Sequence, residues 1–199
     1  MWEYPILGTD VYHAVNAFFI FSFCGWVMEV IVIWLEKKKL TNRGFIAAPF
    51  CVIYGVASLG VPLVFRPFSG NYIVLFFAGM LLATLFEYLT AMLMLRLFGS
   101  LWWDYTNKPL NYKGILCLES SIGWGVLVVL YFVCIRGWVN QLIDLYPQWL
   151  GKIAVLVLLG EVLVDFTIHF VRALRAARQR RESGQAPQTE WVVHEECTP

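Results

Sequence analysis

Long apolar runs separated by short polar stretches make up most of this chain. Crossing about 30 Å of hydrocarbon takes about 20 helical residues, because the backbone must satisfy its own hydrogen bonds there. Five runs qualify, and they predict membrane-spanning helices over residues 11–35, 46–65, 72–95, 115–135 and 153–171. We therefore predict an all-α, polytopic membrane bundle over residues 1–181, followed by a polar, flexible cytoplasmic tail over residues 182–199.

The second run, residues 46–65, differs from the other four because it contains Pro49, Gly55, Gly60 and Pro62. Proline removes one helical hydrogen bond, and its ring clashes with the preceding turn. We therefore expect this span to be kinked or partly unwound.

Residues 137–152, between the last two runs, are too polar to cross the membrane. They nevertheless contain Trp138, Leu142, Tyr146 and Trp149, which suit the boundary between lipid and water. This segment predicts a helix that lies along the outer interface.

Basic residues are concentrated on one side of the predicted bundle. Five spans with the N-terminus outside place twelve of the fifteen Lys and Arg residues in the loops 36–45 and 96–114 and in the tail. Short basic loops stay on the cytoplasmic side, so the asymmetry predicts an outside N-terminus and a cytoplasmic C-terminus. The first run follows an acidic start and is too long for a cleaved signal peptide, so we expect it to be retained.

Composition agrees with a membrane protein and removes several alternatives. The 199 residues are 59% hydrophobic and 15% charged, and the mean hydropathy is +0.65. A net charge of +1 provides no basic field for nucleic acid. The five cysteines are scattered without metal-binding spacing, so we expect no disulfide framework and no metal site. The chain is predicted to be a multi-pass protein of the cell membrane, surrounded by the lipid bilayer.

Acidic residues inside the predicted spans are the first candidates for function, because a carboxylate in hydrocarbon usually faces protein or water and finds a partner. Five occur: Glu29, Glu87, Glu119, Glu161 and Asp165. Four of them fall in the cytoplasmic halves of their spans and can form one cluster that opens inward. Glu161, Asp165 and His169 recur every four residues and form a titratable stripe. This stripe is either a path for protons or cations, or a device that fixes helix packing.

Several short motifs of this chain occur together in one known family. They are Gly-Trp followed by Glu29, Asn-Arg-Gly-Phe at 42–45, Ala-Pro-Phe-Cys-x-Ile-Tyr-Gly at 48–55, Glu-Tyr at 87–88, Phe-Gly-x-x-Trp-Trp-Asp-Tyr at 98–105, Asn-x-x-Gly at 111–114 and Ser-x-x-Trp-Gly at 121–125. On these motifs, the stretch from Phe21 to Val126 resembles the CmpB-type membrane proteins, a family of type IV ABC-transporter permeases. The chain departs from the family pattern at Ala48, Val52, Thr106 and Leu95, and the last departure replaces a second glutamate.

The motifs and the intramembrane acids together predict one functional cluster near the cytoplasmic side, in which Arg43 is the counter-charge for nearby carboxylates. Its members are Glu29, Asn42, Arg43, Gly44, Tyr54, Glu87, Tyr88, Trp103, Asp104, Tyr105 and Asn111. Anchoring aromatic residues and Asx turns explain part of the same pattern without any functional role.

Two functions fit the sequence. The resemblance implies a permease-like subunit that moves a small solute or ion. No GxxxxGK[ST] phosphate loop is present, so ATP-driven transport needs a separate ATPase. Another membrane subunit is an alternative partner. Five spans are few for alternating access, which favours a homo-oligomer. The alternative is a non-transporting module that binds a lipid headgroup or a partner protein through its basic cytoplasmic face. An enzyme is not expected, because no convincing nucleophile or metal set is present, and neither is a cofactor.

Overall fold

Helices form nearly all the regular structure in the part of the chain that the computed structural model describes, residues 2–6, 9–38, 40, 42 and 44–183. Helices α1 to α6 run over Val11–Lys37, Val52–Phe65, Tyr72–Phe98, Leu118–Leu130, Arg136–Asp144 and Gln148–Glu182. Two small antiparallel hairpins pair β1 (Pro5–Ile6) with β2 (Thr9–Asp10) and β3 (Asn111–Tyr112) with β4 (Leu116–Cys117). The prediction of an all-α membrane bundle is confirmed.

Four helices are long and apolar enough to cross a membrane: Val11–Leu35, Tyr72–Phe98, Leu118–Asp144 and Gln148–Glu182. The third of these joins α4 to α5 through a π-helical turn at Tyr131–Ile135. The run predicted over residues 46–65 is helical only in α2, which has 14 residues. A helix of that length rises about 21 Å, which is short of the hydrocarbon thickness. The count of five crossings therefore stays a prediction.

Many large apolar side chains lie on the outside of the helices, unlike in a soluble protein. The buried residues of α3 form one stripe: Leu75, Gly79, Glu87, Ala91, Met94 and Phe98. Leu81 and Leu89 of the same helix are 65% and 56% exposed. Lipid is the solvent that makes such an apolar exterior stable. Glu87 and Ala91, four residues apart, both belong to this buried stripe.

Two compact units make up the chain, and the first comprises the described residues of 2–66 and 134–169. Its main core contains Phe19, Ile46, Phe50, Val155 and Val162. Helices α1 and α2 pack closely there, because Gly55 has no side chain: a Cβ at this position would lie 2.3 Å from the Ser22 hydroxyl oxygen. Small residues at such contacts let membrane helices approach one another.

The helix predicted along the outer interface over residues 137–152 is not a separate element. Residues 136–144 continue the preceding helix as α5, and residues 148–152 begin α6. Val139 and Ile143 of α5 are buried against Tyr12 of α1. The Tyr146 hydroxyl donates to the Asn16 side-chain oxygen at 2.8 Å and fixes the intervening turn. Trp138, Leu145 and Trp149 of this segment are 70%, 80% and 63% exposed, so their position at the outer interface stays a prediction.

The second unit comprises residues 67–133 and, among the described residues, 170–183. Helices α3 and α4 pack at two glycines, since a Cβ on Gly79 would lie 2.9 Å from Val128 and a Cβ on Gly125 2.8 Å from the Phe76 ring. Helix α3 ends at Gly99, whose positive φ of 68° suits glycine. The predicted tail lies outside the described residues from residue 184 onwards.

Candidate functional site

Glu87 is the centre of a polar cluster in the second unit. It is only 9% exposed and lies in the middle of the apolar helix α3. The Tyr105 hydroxyl donates to one carboxylate oxygen at 3.0 Å, and the Trp124 indole N–H donates to the other at 3.1 Å. The Ser120 hydroxyl lies 3.3 and 3.4 Å from the two oxygens. Glu87 therefore accepts hydrogen bonds from three side chains of two other segments.

The loop between α3 and α4 positions Tyr105 by hydrogen bonds within the loop. The Tyr105 N–H donates to the Gly114 carbonyl at 2.9 Å. The Asp104 carboxylate accepts from the Thr106 N–H at 2.8 Å, which closes an Asx turn. The Asn111 side chain accepts from the Gly114 N–H at 3.1 Å. These bonds fix the backbone on both sides of Tyr105, so its ring can point at Glu87.

The Trp103 indole completes this loop by donating to the Ile115 carbonyl at 2.8 Å. Trp103 is half-buried against the core of the second unit, whereas Trp102 stacks on Phe98 with ring centroids 5.9 Å apart. The two tryptophans therefore have different roles, although they are adjacent in sequence. Only Trp102 keeps the more exposed position expected of an interfacial anchor.

Tyr105 stays protonated at physiological pH. Burial and the nearby Glu87 carboxylate both raise the pKa of its phenol above the usual value. The phenol is therefore a donor, and Trp124 has only a donor to offer. Such neutral donors stabilise a carboxylate without cancelling its charge, so Glu87 can still attract a cation or a hydrogen-bonding solute.

Glu29 of α1 has a similar environment in the first unit. The Tyr54 hydroxyl of α2 donates to its carboxylate at 2.7 Å. The Tyr54 ring lies directly over Gly25, where a Cβ would be 2.3 Å from the ring carbon Cγ. Gly25 thus makes room for the ring that reaches Glu29, and Ser22, Gly25 and Glu29 lie on the face of α1 that packs on α2.

Asn42 organises the segment before α2. Its side-chain oxygen accepts from the Trp26 indole at 2.8 Å and from the Gly44 N–H at 2.9 Å. Its amide nitrogen donates to the Ile46 and Ala47 carbonyls at 3.2 and 3.1 Å. A single side chain thus replaces several helical hydrogen bonds where this segment is not helical.

Asp165 of α6 also binds this segment. Its carboxylate accepts from the Ala48 N–H at 2.9 Å, and its second oxygen lies 2.8 Å from the His169 ring nitrogen Nδ1. Glu161, predicted to belong to the same stripe, is exposed. Each step of four residues rotates a helix position by about 40°, so Glu161 turns out of the packed face that holds His169. Only Asp165 and His169 of the predicted stripe therefore lie on the packed face of α6.

The predicted cluster residues fall into two groups, one in each unit. Glu29, Asn42, Gly44 and Tyr54 lie in the first unit, and Glu87, Trp103, Asp104, Tyr105 and Asn111 lie in the second. Tyr88 packs against the core of the second unit. Arg43 lies outside the described residues, so its predicted pairing with a carboxylate stays a prediction. Glu119 is exposed and pairs with Lys108 at 3.3 Å.

Sequence reasoning missed three donors of these clusters: Trp26, Ser120 and Trp124. Ser120 and Trp124 are four residues apart and therefore share one face of α4, which was a usable signal. Trp26 and Glu29 are three apart on α1 in the same way.

A family model described as "Putative ABC-transporter type IV", CmpB, matches residues 16–170. The chain belongs to this family. The match includes both carboxylate clusters and most of the apolar part of α6, so it extends beyond the stretch from Phe21 to Val126. No curated protein and no solved structure matches the chain. Membership in the family, together with the long apolar helices, makes this a multi-pass membrane protein of a transporter family.

Proposed function

We propose that the chain is the membrane-spanning permease of a transport system, and that it moves a small solute or ion while a separate ATPase chain supplies the energy. The family membership supports the transport role. The need for a separate ATPase follows from the missing phosphate loop. No residue of the chain is given a catalytic role.

The Glu87 cluster carries this proposal. A buried carboxylate is costly in a membrane helix, and a purely structural position can be filled more cheaply by an apolar residue. One of its three donors, Tyr105, comes from the loop before α4, so it can separate from Glu87 if that loop moves. A solute that carries a positive charge or a hydrogen-bond donor can then replace the Tyr105 hydroxyl at the carboxylate.

Purification in mild detergent tests the partner, and a substitution tests the site. We expect an ATPase chain to co-purify, and we expect Glu87→Gln to abolish solute-stimulated ATP hydrolysis by the reconstituted complex. The amide keeps the size of the side chain and can still accept hydrogen bonds, so the fold should be retained. Glu119→Gln is the matched control, because Glu119 is exposed and bound to Lys108. Wild-type stimulation of the Glu87→Gln complex would contradict the proposal.

The alternative, a module that binds an anionic lipid headgroup, is favoured by the end of α6. Arg172 and Arg175 are exposed and three residues apart, directly after the apolar part of the helix. Arg181 instead donates to the Arg96 carbonyl at the end of α3, at 2.5 Å. Exposed cations at this boundary attract anionic headgroups. Native mass spectrometry that finds a stoichiometric anionic lipid and no ATPase would favour this alternative.

A further inference from the structure

His13, in the first turn of α1, lies between two aspartates that belong to different elements. Its ring nitrogen Nδ1 is 2.8 Å from the carboxylate of Asp10, the residue before α1. Its Nε2 is 3.1 Å from the carboxylate of Asp144, the last residue of α5. One histidine therefore connects the beginning of α1 with the end of α5.

Both contacts together require a protonated ring. A neutral imidazole has one N–H donor and one acceptor nitrogen, whereas an ionised carboxylate has only acceptors. Burial raises the pKa of the Asp10 carboxyl, but the hydrogen bonds to His13 outweigh it and leave that pKa below its usual value. The second Asp10 oxygen caps α1 by accepting from the His13 N–H at 2.9 Å. Asp10 therefore stays on α1 in either state of the ring, and Asp144 is the acid that a neutral ring releases.

The charged groups that act on the imidazole ring, among the described residues, are Asp10 and Asp144. Tyr12 of α1 packs edge-on against the ring, with ring centroids 5.3 Å apart. The Tyr146 hydroxyl, beyond the end of α5, donates to α1. Helix α6 approaches Tyr12 with Gly151, which has no side chain. The proton on the ring therefore sets the balance of charge at this contact.

We propose that His13 is a proton-operated latch, which holds α5 on α1 while its ring is protonated and releases Asp144 when the ring loses its proton. Val139 and Ile143 of α5 are buried against Tyr12 beside the latch. The negative end of the α5 dipole disfavours Asp144 unless a cation lies next to it. The latch is therefore closed at low pH and opens as the pH rises through the pKa of His13. It does not depend on the proposed transport.

The latch requires both helix ends to lie on the same side of the membrane. An even number of crossings must then separate Asp10 from Asp144. The predicted arrangement of five crossings meets this requirement and puts both residues outside. In that arrangement the latch responds to the pH of the outer medium.

Thiol labelling of the full chain in mild detergent tests whether α5 leaves α1. Val139→Cys reports on the buried contact, and Gln141→Cys, exposed on the same helix, corrects for the rise of thiol reactivity with pH. We expect the ratio of the two labelling rates, Val139→Cys over Gln141→Cys, to rise severalfold from about pH 5.5 to about pH 8.5, where histidine titrates and carboxylates stay ionised. Mass spectrometry of the labelled peptides separates these sites from the native cysteines. An unchanged ratio would overturn the proposal.

Substitutions of the histidine distinguish the latch from a general effect of pH. His13→Gln does not titrate, so its ratio should be the same at both pH values, and His13→Lys stays charged, so its ratio should stay low. His169→Gln is the matched control: His169 also contacts an acid, Asp165 at 2.8 Å, but within α6, so the pH dependence of the parent should remain.

Hydrogen exchange of residues 136–144, corrected for its own pH dependence, repeats the comparison without an introduced cysteine and covers a Val139→Cys chain that does not fold. Parent-like pH dependence in His13→Gln, or its loss in His169→Gln, would contradict the latch.

Discussion

Tyrosine hydroxyls bind a carboxylate in each of the two units. Tyr54 donates to Glu29 at 2.7 Å, and Tyr105 donates to Glu87 at 3.0 Å. A tyrosine combines an apolar ring with one donor at its tip, so it can pack among apolar side chains and still satisfy an acid. Where water is scarce, such a hydrogen bond is stronger than at a protein surface. Losing it therefore destabilises the folded protein.

Removing the hydroxyl from Tyr54 should therefore destabilise the first unit. We expect Tyr54→Phe to lower the free energy of unfolding by about 1–3 kcal/mol, because Glu29 loses a donor while the ring packing over Gly25 is kept. Thermal melting in detergent measures the effect. Tyr72→Phe is the control, since Tyr72 is 60% exposed. Equal melting of the two variants would show that the Tyr54 hydroxyl contributes nothing.

The sequence could identify the acids but not all their partners. Glu29 and Glu87 stand out because each interrupts an apolar run. Which side chains reach them depends on how far each neighbouring helix is rotated, and spacing within one helix does not determine that rotation. Ser120 and Trp124 were therefore missed. The same uncertainty applies to Glu161. Its four-residue spacing from Asp165 predicted a shared face, but Glu161 lies outside the packed face of α6.

Glycines determine how closely the helices approach within each unit. Gly25 and Gly55 lie where α1 meets α2, and Gly79 and Gly125 lie where α3 meets α4. Lipid tails are as apolar as leucine, so close van der Waals packing of backbones is a main source of helix association in membranes. A single added methyl group at such a contact should have a measurable cost.

Gly55→Ala should destabilise the α1–α2 contact. The new Cβ would lie 2.3 Å from the Ser22 hydroxyl oxygen and 2.7 Å from the Phe18 carbonyl oxygen, which belongs to the rigid backbone of α1. We expect a loss of about 1–3 kcal/mol by thermal melting, as is usual for overpacking. Gly60→Ala, on the same helix, is the control because nothing lies within 4 Å of its Cβ position. If Gly55→Ala melts no lower than Gly60→Ala, the contact is less tight than described.

Length and hydropathy identified the long helices correctly, and they failed where distant residues decide the backbone. Residues 44–51 are apolar enough to be helical but are not. Their polar backbone groups instead bind the Asn42 side chain, the Asp165 carboxylate and the Ser22 carbonyl. No local pattern encodes a bond to Asp165, which is more than a hundred residues away. Proline at position 49 was the only local sign of this interruption.

The segment before α2 can complete a second crossing at the scale of the whole molecule. Irregular backbone is tolerated at membrane depth only where protein buries it. Ile46, Ala48 and Phe50 are 1%, 8% and 8% exposed in the core of the first unit. This segment can supply the roughly 9 Å that α2 lacks. Without that crossing, the loop 96–114 and the five arginines that follow Val171 would lie outside, against the positive-inside rule.

Labelling the two ends of α3 decides between five crossings and four. With five crossings and the N-terminus outside, a membrane-impermeant thiol reagent should reach Gly70→Cys in intact cells and Asn107→Cys only after permeabilisation. If α2 does not cross the membrane, Asn107→Cys should react in intact cells and Gly70→Cys only after permeabilisation. Both positions are exposed, and they lie just before and after α3.

Lys38→Cys, which is cytoplasmic in both arrangements, controls for leaky membranes. Replacing the native cysteines by alanine removes background, and external labelling of Asn107→Cys would refute the five-crossing topology.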